Sequence, residues 1–287
     1  MKKIYLLFFV GFLFALNIFC WKEVFVLASN NDLKVVYFDV GQGDSVFIET
    51  PQRHQVLIDG GPTPVVLSKL AKEMPFWDRT IDLVILSHPE KDHMAGLLDV
   101  LQRYKADYIL WSGVVRSSSE YQKWIEVLEK QKKMGTKIII AESNQRIAVG
   151  ESFIDILHPF DNLVGNDSKD SNDTSVVFDL TFYENSFLFV GDISSSLEKK
   201  LVNSGINLTS NVLKVAHHGS KYSTSDIFLE NVKPEVAIIS VGENSYGHPT
   251  PEVLQRLDDF EVKTLRTDQI GDITILSDGE NLKIKNN

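Results

Sequence analysis

The chain has 287 residues, of which 43% are hydrophobic and 24% are charged, and its net charge is −10. This composition excludes general disorder and provides enough apolar side chains for a sizeable core, in one large domain or two small ones. The negative charge has the wrong sign for a protein that holds nucleic acid by its surface alone. An anionic substrate would therefore need local cations, and bound divalent metal is the obvious source.

The N-terminus has the pattern of an export segment. Two lysines precede an apolar run from Ile4 to Cys20, and a second apolar patch ends at Ala28. The run is near the minimum of roughly 17–20 residues that span a bilayer, so cleavage after Ala28 and retention as an anchor both stay open. We expect residues 1–28 to be a signal peptide or a single N-terminal membrane anchor, and residues 29–287 to be the functional domain.

The only cysteine, Cys20, lies inside this leader. The rest of the chain therefore has no disulfide and no thiolate ligand, and any metal must be held by histidine, aspartate and glutamate. The leader predicts a protein that is secreted or anchored to the outer face of the cytoplasmic membrane, with membrane contact only through this segment.

The remaining chain alternates short apolar runs with helical patterns. Strands are expected over residues 35–38, 46–48, 55–58, 81–86, 108–111, 137–141, 153–157, 176–178, 186–190, 212–216, 236–241 and 273–276. Helices are expected over residues 64–72, 94–104, 119–133, 195–202, 228–232 and 251–257, and a polar loop over residues 161–173. Two strand-rich halves of this kind could stack as two sheets that are covered by helices.

A polar loop follows the apolar strand that ends at Ser87. It carries His88, Glu90, Asp92 and His93 within six residues, after a strand that the following proline prevents from continuing. A loop with this density of imidazole and carboxylate groups is suited to chelating a metal. The alternative is a polar turn whose histidines only cap a helix.

Histidines recur just beyond the ends of apolar strands. Six of the seven have such positions: His88, His93, His158, His217, His218 and His248. Asp192 has the same kind of position, whereas His54 does not. Because groups at the C-terminal ends of strands converge on one edge of a sheet, a shared site is favoured over separate structural roles.

Seven segments, in this order, resemble the metallo-β-lactamase superfamily and, within it, the extracellular hydrolase domain of ComEC competence proteins. They are residues 39–45, 57–61, 88–93, 172–175, 191–192, 217–220 and 246–249. The resemblance covers about residues 33–280. It implies an α/β (α+β) fold, a four-layer αβ/βα sandwich with two mixed sheets flanked by helices, and a two-metal site on one edge.

The resemblance also implies a role for each matching residue. The metal ligands would be His88, Glu90 and His158 for one ion, Asp92, His93 and His218 for the other, and Asp192 between both. Catalytic roles fall to Asp92, His217 and His248, and substrate contacts to Asn172, His217, Ser220, Lys221 and His248. The adjacent residues His217 and His218 could exchange roles. Asp44 and Asp59 would support the site from two glycine-rich turns, with simple turn capping as the alternative.

Glu90 departs from the family pattern, which has His or often Asp at this position. A glutamate makes the site richer in oxygen and shifts its preference from Zn²⁺ towards Mn²⁺. It could instead weaken the first metal position, or contact the ligands without binding metal itself.

Site chemistry and resemblance together predict an exported hydrolase with two divalent ions, Zn or Mn, that activate a bridging hydroxide for attack on phosphorus. The leading hypothesis is a monomeric phosphodiesterase whose substrate is DNA. The alternatives are hydrolysis of another extracellular phosphodiester, such as choline phosphate or a teichoic-acid ester, and a non-catalytic metal-binding module. β-Lactam hydrolysis is disfavoured because the loop lacks the middle histidine.

Overall fold

The structure, a computed structural model, describes residues 2–28, 31–168 and 171–286. The chain divides into two units, residues 1–32 and residues 33–287. In the first unit, helix α1 spans Lys2–Ala28, and its side chains from Ile4 to Phe19 are exposed. Among the described residues, no helix combines the length and the hydropathy needed to cross a membrane. The expected cleavage point between residues 28 and 29 lies outside the described residues.

The second unit contains the remaining strands and helices. The strands are β1 (Leu33–Tyr37), β2 (Val46–Glu49), β3 (Gln55–Ile58), β4 (Thr80–Ile85), β5 (Lys105–Trp111), β6 (Lys137–Ile140), β7 (Arg146–Val149), β8 (Ser152–His158), β9 (Val177–Phe182), β10 (Asn185–Phe189), β11 (Val212–Lys214), β12 (Val236–Ile239), β13 (Lys263–Arg266), β14 (Ile273–Ser277) and β15 (Leu282–Asn286). The helices are α2 (Val65–Glu73), α3 (Lys91–Arg103), α4 (Ser119–Lys133), α5 (Ser195–Asn203), α6 (Asp226–Val232), α7 (Pro251–Asp259) and α8 (Thr267–Ile270).

These strands form two mixed sheets. The eight-stranded sheet has the order β15-β14-β1-β2-β3-β4-β5-β6, and the seven-stranded sheet has the order β13-β12-β11-β10-β9-β8-β7. In the first sheet β1 pairs antiparallel with both β2 and β14, while β3 to β6 run parallel. In the second sheet β10 to β13 run parallel.

The two sheets pack face to face. Side chains from both meet in a central core, where the ring of Phe189 stacks on Tyr37 at 6.1 Å and on Phe178 at 5.0 Å. Helices α2 to α4 cover the outer face of the first sheet, and α5 to α7 cover that of the second. Because both faces of the inner strands are buried, these strands are nearly continuous apolar runs. The predicted four-layer αβ/βα sandwich is confirmed.

The expected elements differ from the structure at several points. Helix α3 begins at Lys91, so that Asp92 and His93 lie in its first turn and not in the expected loop, and α8 was not predicted. Strands β7, β13 and β15 were not predicted, and each lies at an edge of its sheet. An edge strand can mix charged with apolar residues, so it lacks the apolar run that identifies an inner strand. The strand expected over residues 212–216 ends at Lys214, because residues 216–219 turn into a short 3₁₀ segment.

Candidate metal centre

The candidate site lies where strands of both sheets end on one edge. Beyond β4 come Asp92 and His93, beyond β10 comes Asp192, and beyond β11 comes His218. One ligand atom from each of these four residues lies within 4.8 Å of the others. Each sheet thus supplies half of the group, as expected for side chains at the carboxyl ends of strands.

Asp192 lies between two imidazoles. Its Oδ1 is 3.4 Å from His93 Nε2, and its Oδ2 is 3.5 Å from His218 Nε2. His218 Nε2 is also 3.3 Å from Asp92 Oδ2. Asp192 thus contacts one imidazole from each sheet and would be among the residues that hold a metal.

Several buried nitrogen and oxygen atoms of the site lack a hydrogen-bond partner, and this shows whether a metal would fit there. The Nε2 atoms of His88, His93 and His218, together with Asp192 Oδ1, are buried and have no hydrogen-bond partner among the described residues. Leaving such groups unpaired costs about 1–3 kcal/mol each, whereas bound divalent metal would accept them as ligands. The donor set therefore fits a metal centre of imidazole nitrogen and carboxylate oxygen.

The opposite nitrogen of three histidines is fixed by a hydrogen bond. His93 Nδ1 is 2.8 Å from Asp59 Oδ2, His218 Nδ1 is 2.8 Å from the Ser240 carbonyl, and His158 Nδ1 is 2.8 Å from the Ser175 carbonyl. An Nδ1–H that donates to these oxygens leaves Nε2 with its lone pair available to a metal.

Asp59 is held in place by the end of β4. Its carboxylate accepts hydrogen bonds from the Ser87 N–H at 2.8 Å and from the Ser87 hydroxyl at 2.6 Å. Asp59 therefore supports His93 directly, in the supporting role expected for it. Asp44, the other residue expected to support the site, lies 3.4 Å from His218 Nδ1 and forms an ion pair with the buried Lys214.

The charges of the site act on one another. Burial opposes charge on His218, but Asp192, Asp44 and Asp92 together raise its pKa to about 9. Burial likewise opposes ionisation of Asp192, yet His218, His93 and His88 hold its pKa well below the usual value. The pKa of His88 falls to about 3, because burial and the neighbouring His93 outweigh the carboxylates. Without metal, the site is thus a network of imidazolium and carboxylate charges.

Left-handed backbone turns direct several of these side chains. Asp59, His217 and His218 have φ values of 54°, 50° and 54°. Residues other than glycine adopt this region at a cost of about 1–3 kcal/mol, and such residues concentrate at functional sites. The loop also needs Gly43, where an added Cβ would lie 2.2 Å from the carbonyl oxygen of Asp92.

The structure places Glu90 outside the converging ligand atoms. Its carboxylate accepts a hydrogen bond from Arg116 Nη2 at 2.6 Å and another from the Ser171 hydroxyl. Arg116 also donates to the Ser168 carbonyl at 2.9 Å. Glu90 therefore contacts Arg116 and a serine of a neighbouring loop, and none of its described contacts is with the four converging ligands.

His158 and the residues 172–175 lie beside the centre. Apart from the Ser175 carbonyl, His158 contacts the ring of Phe160, and no described contact joins it to Asp192. The segment 172–175 is held against the start of α5, because Asp173 accepts hydrogen bonds from both the N–H and the hydroxyl of Ser194.

The residues expected to contact substrate form the rim of the site. His217 Nε2 is 3.9 Å from Asp192 Oδ2, and its Nδ1 is 3.5 Å from Asn172 Nδ2. Its ring lies 5.4 Å from that of His248. Lys221 is exposed, whereas Ser220 is buried and its hydroxyl accepts a hydrogen bond from the Tyr222 N–H.

Two residues near the centre were missed in the sequence. Lys214 interrupts the apolar run 212–216, and a lone charge in a strand buried on both faces is a signal that its ammonium has a partner. Arg116 had no such signal, because it lies in a polar connection before α4, far in sequence from Glu90.

The family profile described as "Metallo-beta-lactamase superfamily" matches residues 38–243. The chain belongs to this superfamily, whose members are mostly metal-dependent hydrolases. Among solved structures it is similar to YhfI from Bacillus subtilis, at TM-score 0.56 and 15% identity over 86% of this chain and 100% of that one. Igni18, a metallo hydrolase from Ignicoccus hospitalis, has a TM-score of 0.53 and 14% identity over 85% of this chain and 98% of that one.

Within the superfamily the sequence is ComEC-like. It is 31% identical over 265 residues to ComE operon protein 3 of Bacillus subtilis (strain 168), covering 86% of this chain and 33% of that protein. It is also 31% identical over 244 residues to Competence protein ComA of Neisseria gonorrhoeae, covering 84% of this chain and 32% of that protein. The chain thus spans about a third of the length of the curated relatives that it matches.

Proposed function

We propose that the chain is an exported, metal-dependent phosphodiesterase that acts on DNA as a monomer. The observation that carries the proposal is the group of unpartnered, buried nitrogen and oxygen atoms at one edge of the sandwich. The relatives include a competence protein and a recombination protein. Recombination acts on DNA, and the backbone of DNA is a phosphodiester.

Metal would be held by Asp92, His93, Asp192 and His218, with His88 beside them. Divalent ions in such a site lower the pKa of water and neutralise charge on phosphate oxygens. Asp59 and Ser240 keep Nδ1 protonated on His93 and His218, so that each ring presents Nε2 to the centre. Positive charge at the centre would offset the overall charge of −10 for an anionic polymer.

The rim would bind the phosphate and assist the leaving oxygen. Burial and the neighbouring His217 and His218 lower the pKa of His248, so its ring is neutral at pH 7 and can donate one N–H. His217 lies between this ring and Asp192, within reach of a phosphate oxygen. Arg116 and Lys221 are cations near the rim that can contact adjacent phosphates, Arg116 once Glu90 releases it.

Residues 1–28 would deliver the enzyme to the outer side of the membrane, as a cleaved leader or an anchor. The two lysines before a long apolar run support this localisation.

The experiment is hydrolysis of bis-p-nitrophenyl phosphate and of linear DNA by the full chain after loading with Mn²⁺ or Zn²⁺. We expect turnover of both substrates, and none by Asp192→Asn. The matched control is Asp179→Asn, which changes a half-buried carboxylate outside the candidate ligands and should retain activity. Metal binding without turnover of either substrate would refute the proposal and favour a non-catalytic metal-binding module.

A further inference from the structure

A second group of ligand atoms lies directly behind the first. Asp44, Asp59 and His93 are all buried, and one ligand atom from each lies within 4.8 Å of the others. We call these three residues the inner group, and Asp92, His93, Asp192 and His218 the outer group. The inner group has the composition of a metal site, but a lysine already supplies a cation to it.

Lys214 brings its ammonium into the inner group from β11. The side chain is 2% exposed, and Nζ forms an ion pair with Asp44 Oδ2. Nζ has no other polar partner among the described residues, and Asp44 Oδ1 is buried without a hydrogen bond. Asp44, Asp59, Ser87 and Lys214 also line one closed cavity of about 10 Å³. A buried ammonium costs several kcal/mol unless paired, so this lysine is held by the negative charge around it.

His93 belongs to both groups through its two nitrogens. Nδ1 is 2.8 Å from Asp59 and 3.8 Å from Asp44, whereas Nε2 is 3.4 Å from Asp192. A metal ion in the inner group would take the Nδ1 position that now donates to Asp59. The same ring would then bridge two ions, and its Nε2 would no longer be a neutral imidazole ligand.

We propose that Lys214 is a built-in cation that occupies the inner group and thereby restricts divalent ions to the outer group. The inference rests on the proposed metal centre but not on any substrate. An ammonium neutralises Asp44 as an ion would, yet it makes no bond to Nδ1. The hydrogen bond from His93 to Asp59 therefore survives, and His93 presents Nε2 outward.

The test is the number of ions bound per chain in Lys214→Leu, which removes the ammonium and keeps most of the apolar stem. The full chain is equilibrated with Mn²⁺ or Zn²⁺, free ion is removed, and bound metal is measured by mass spectrometry. We expect one more ion per chain than in the wild type. The double variant Lys214→Leu/Asp44→Asn removes an inner ligand as well and should return to the wild-type number.

An equal or lower metal content in Lys214→Leu overturns the proposal. Lys214→Gln and Lys214→Ala are prepared in parallel in case the leucine variant does not fold. A variant that folds only when the divalent ion is present supports the proposal, because the ion then replaces the ammonium. Failure of all three to fold at saturating metal overturns it. The count needs no turnover, so an inactive wild type refutes the phosphodiesterase while leaving this test intact.

Discussion

The back of the site and its rim are built on different principles. At the back, the side chains of Asp44, Asp59, His93 and Lys214 are at most 5% exposed, and each is fixed by a charged neighbour. At the rim, His217 is 33% exposed and Tyr246 is 74% exposed. The contrast indicates that the back fixes the orientation and charge of its side chains, whereas the rim leaves its side chains open to solvent.

The largest effect on this comparison is expected from Asp192→Asn, because Asp192 lies between the back of the site and its rim. The variant removes a charge that faces both His93 and His218, so it should weaken metal affinity by more than the 10–100-fold typical of residues that only orient a ligand. Calorimetric titration with Mn²⁺ or Zn²⁺ measures the effect. An affinity within threefold of the wild type would show that Asp192 is not a ligand.

Asp59→Asn tests the back alone. The amide cannot accept from both Ser87 and His93 as a carboxylate does, so the His93 ring loses its fixed orientation. Metal affinity should fall about 10–100-fold while the fold is retained. Unchanged affinity, with a circular dichroism spectrum like that of the wild type, would contradict an orienting role.

Asp179 provides a comparison, because it is a half-buried carboxylate that forms no ion pair among the described residues. Burial raises its pKa to about 6, whereas Asp192, with three imidazoles nearby, has a lowered pKa. Between the unfolded value of 3.8 and about 6, the folded state binds the extra proton, so the contribution of Asp179 to stability declines as pH rises through this window.

Asparagine cannot ionise, so Asp179→Asn removes the decline in stability that ionisation of Asp179 causes. Above pH 7 the variant should be more stable than the wild type by about 1–3 kcal/mol. Near pH 4 the gain should vanish. Denaturant unfolding of both proteins across this range provides the measurement. A gain that does not depend on pH would show that ionisation of Asp179 is not the cause.

The smallest effect is expected at the rim. His248→Gln keeps a hydrogen-bond donor but loses the ring that packs beside His217, so kcat/KM should fall about tenfold, the worth of one hydrogen bond. Metal content should stay at the wild-type value. Loss of bound metal in this variant would show that His248 is a metal ligand and not a residue of the rim.

The inner strands and the convergence of Asp92, His93, Asp192 and His218 on one sheet edge could be predicted from the sequence, because both leave local signals. Glu90 and His158 were expected in the same group but lie outside it. Strands buried on two faces are unbroken apolar runs, and the histidines follow their ends. The edge strand β13 and the Glu90–Arg116 pair could not, since edge pairing and contacts between distant loops leave no local periodicity. Lys214 lies between these cases: its charge within an apolar strand marks it, but only the fold reveals Asp44 as its partner.

The position of β1 also affects when the metal centre can assemble. Because β1 pairs with β2 on one side and with β14 on the other, a chain made from its N-terminus leaves one edge of β1 unpaired until β14 has been synthesised. The four converging ligands are complete only when His218 has been synthesised, so all four can hold an ion only after most of the chain exists. The ions available at that stage then decide what the site contains.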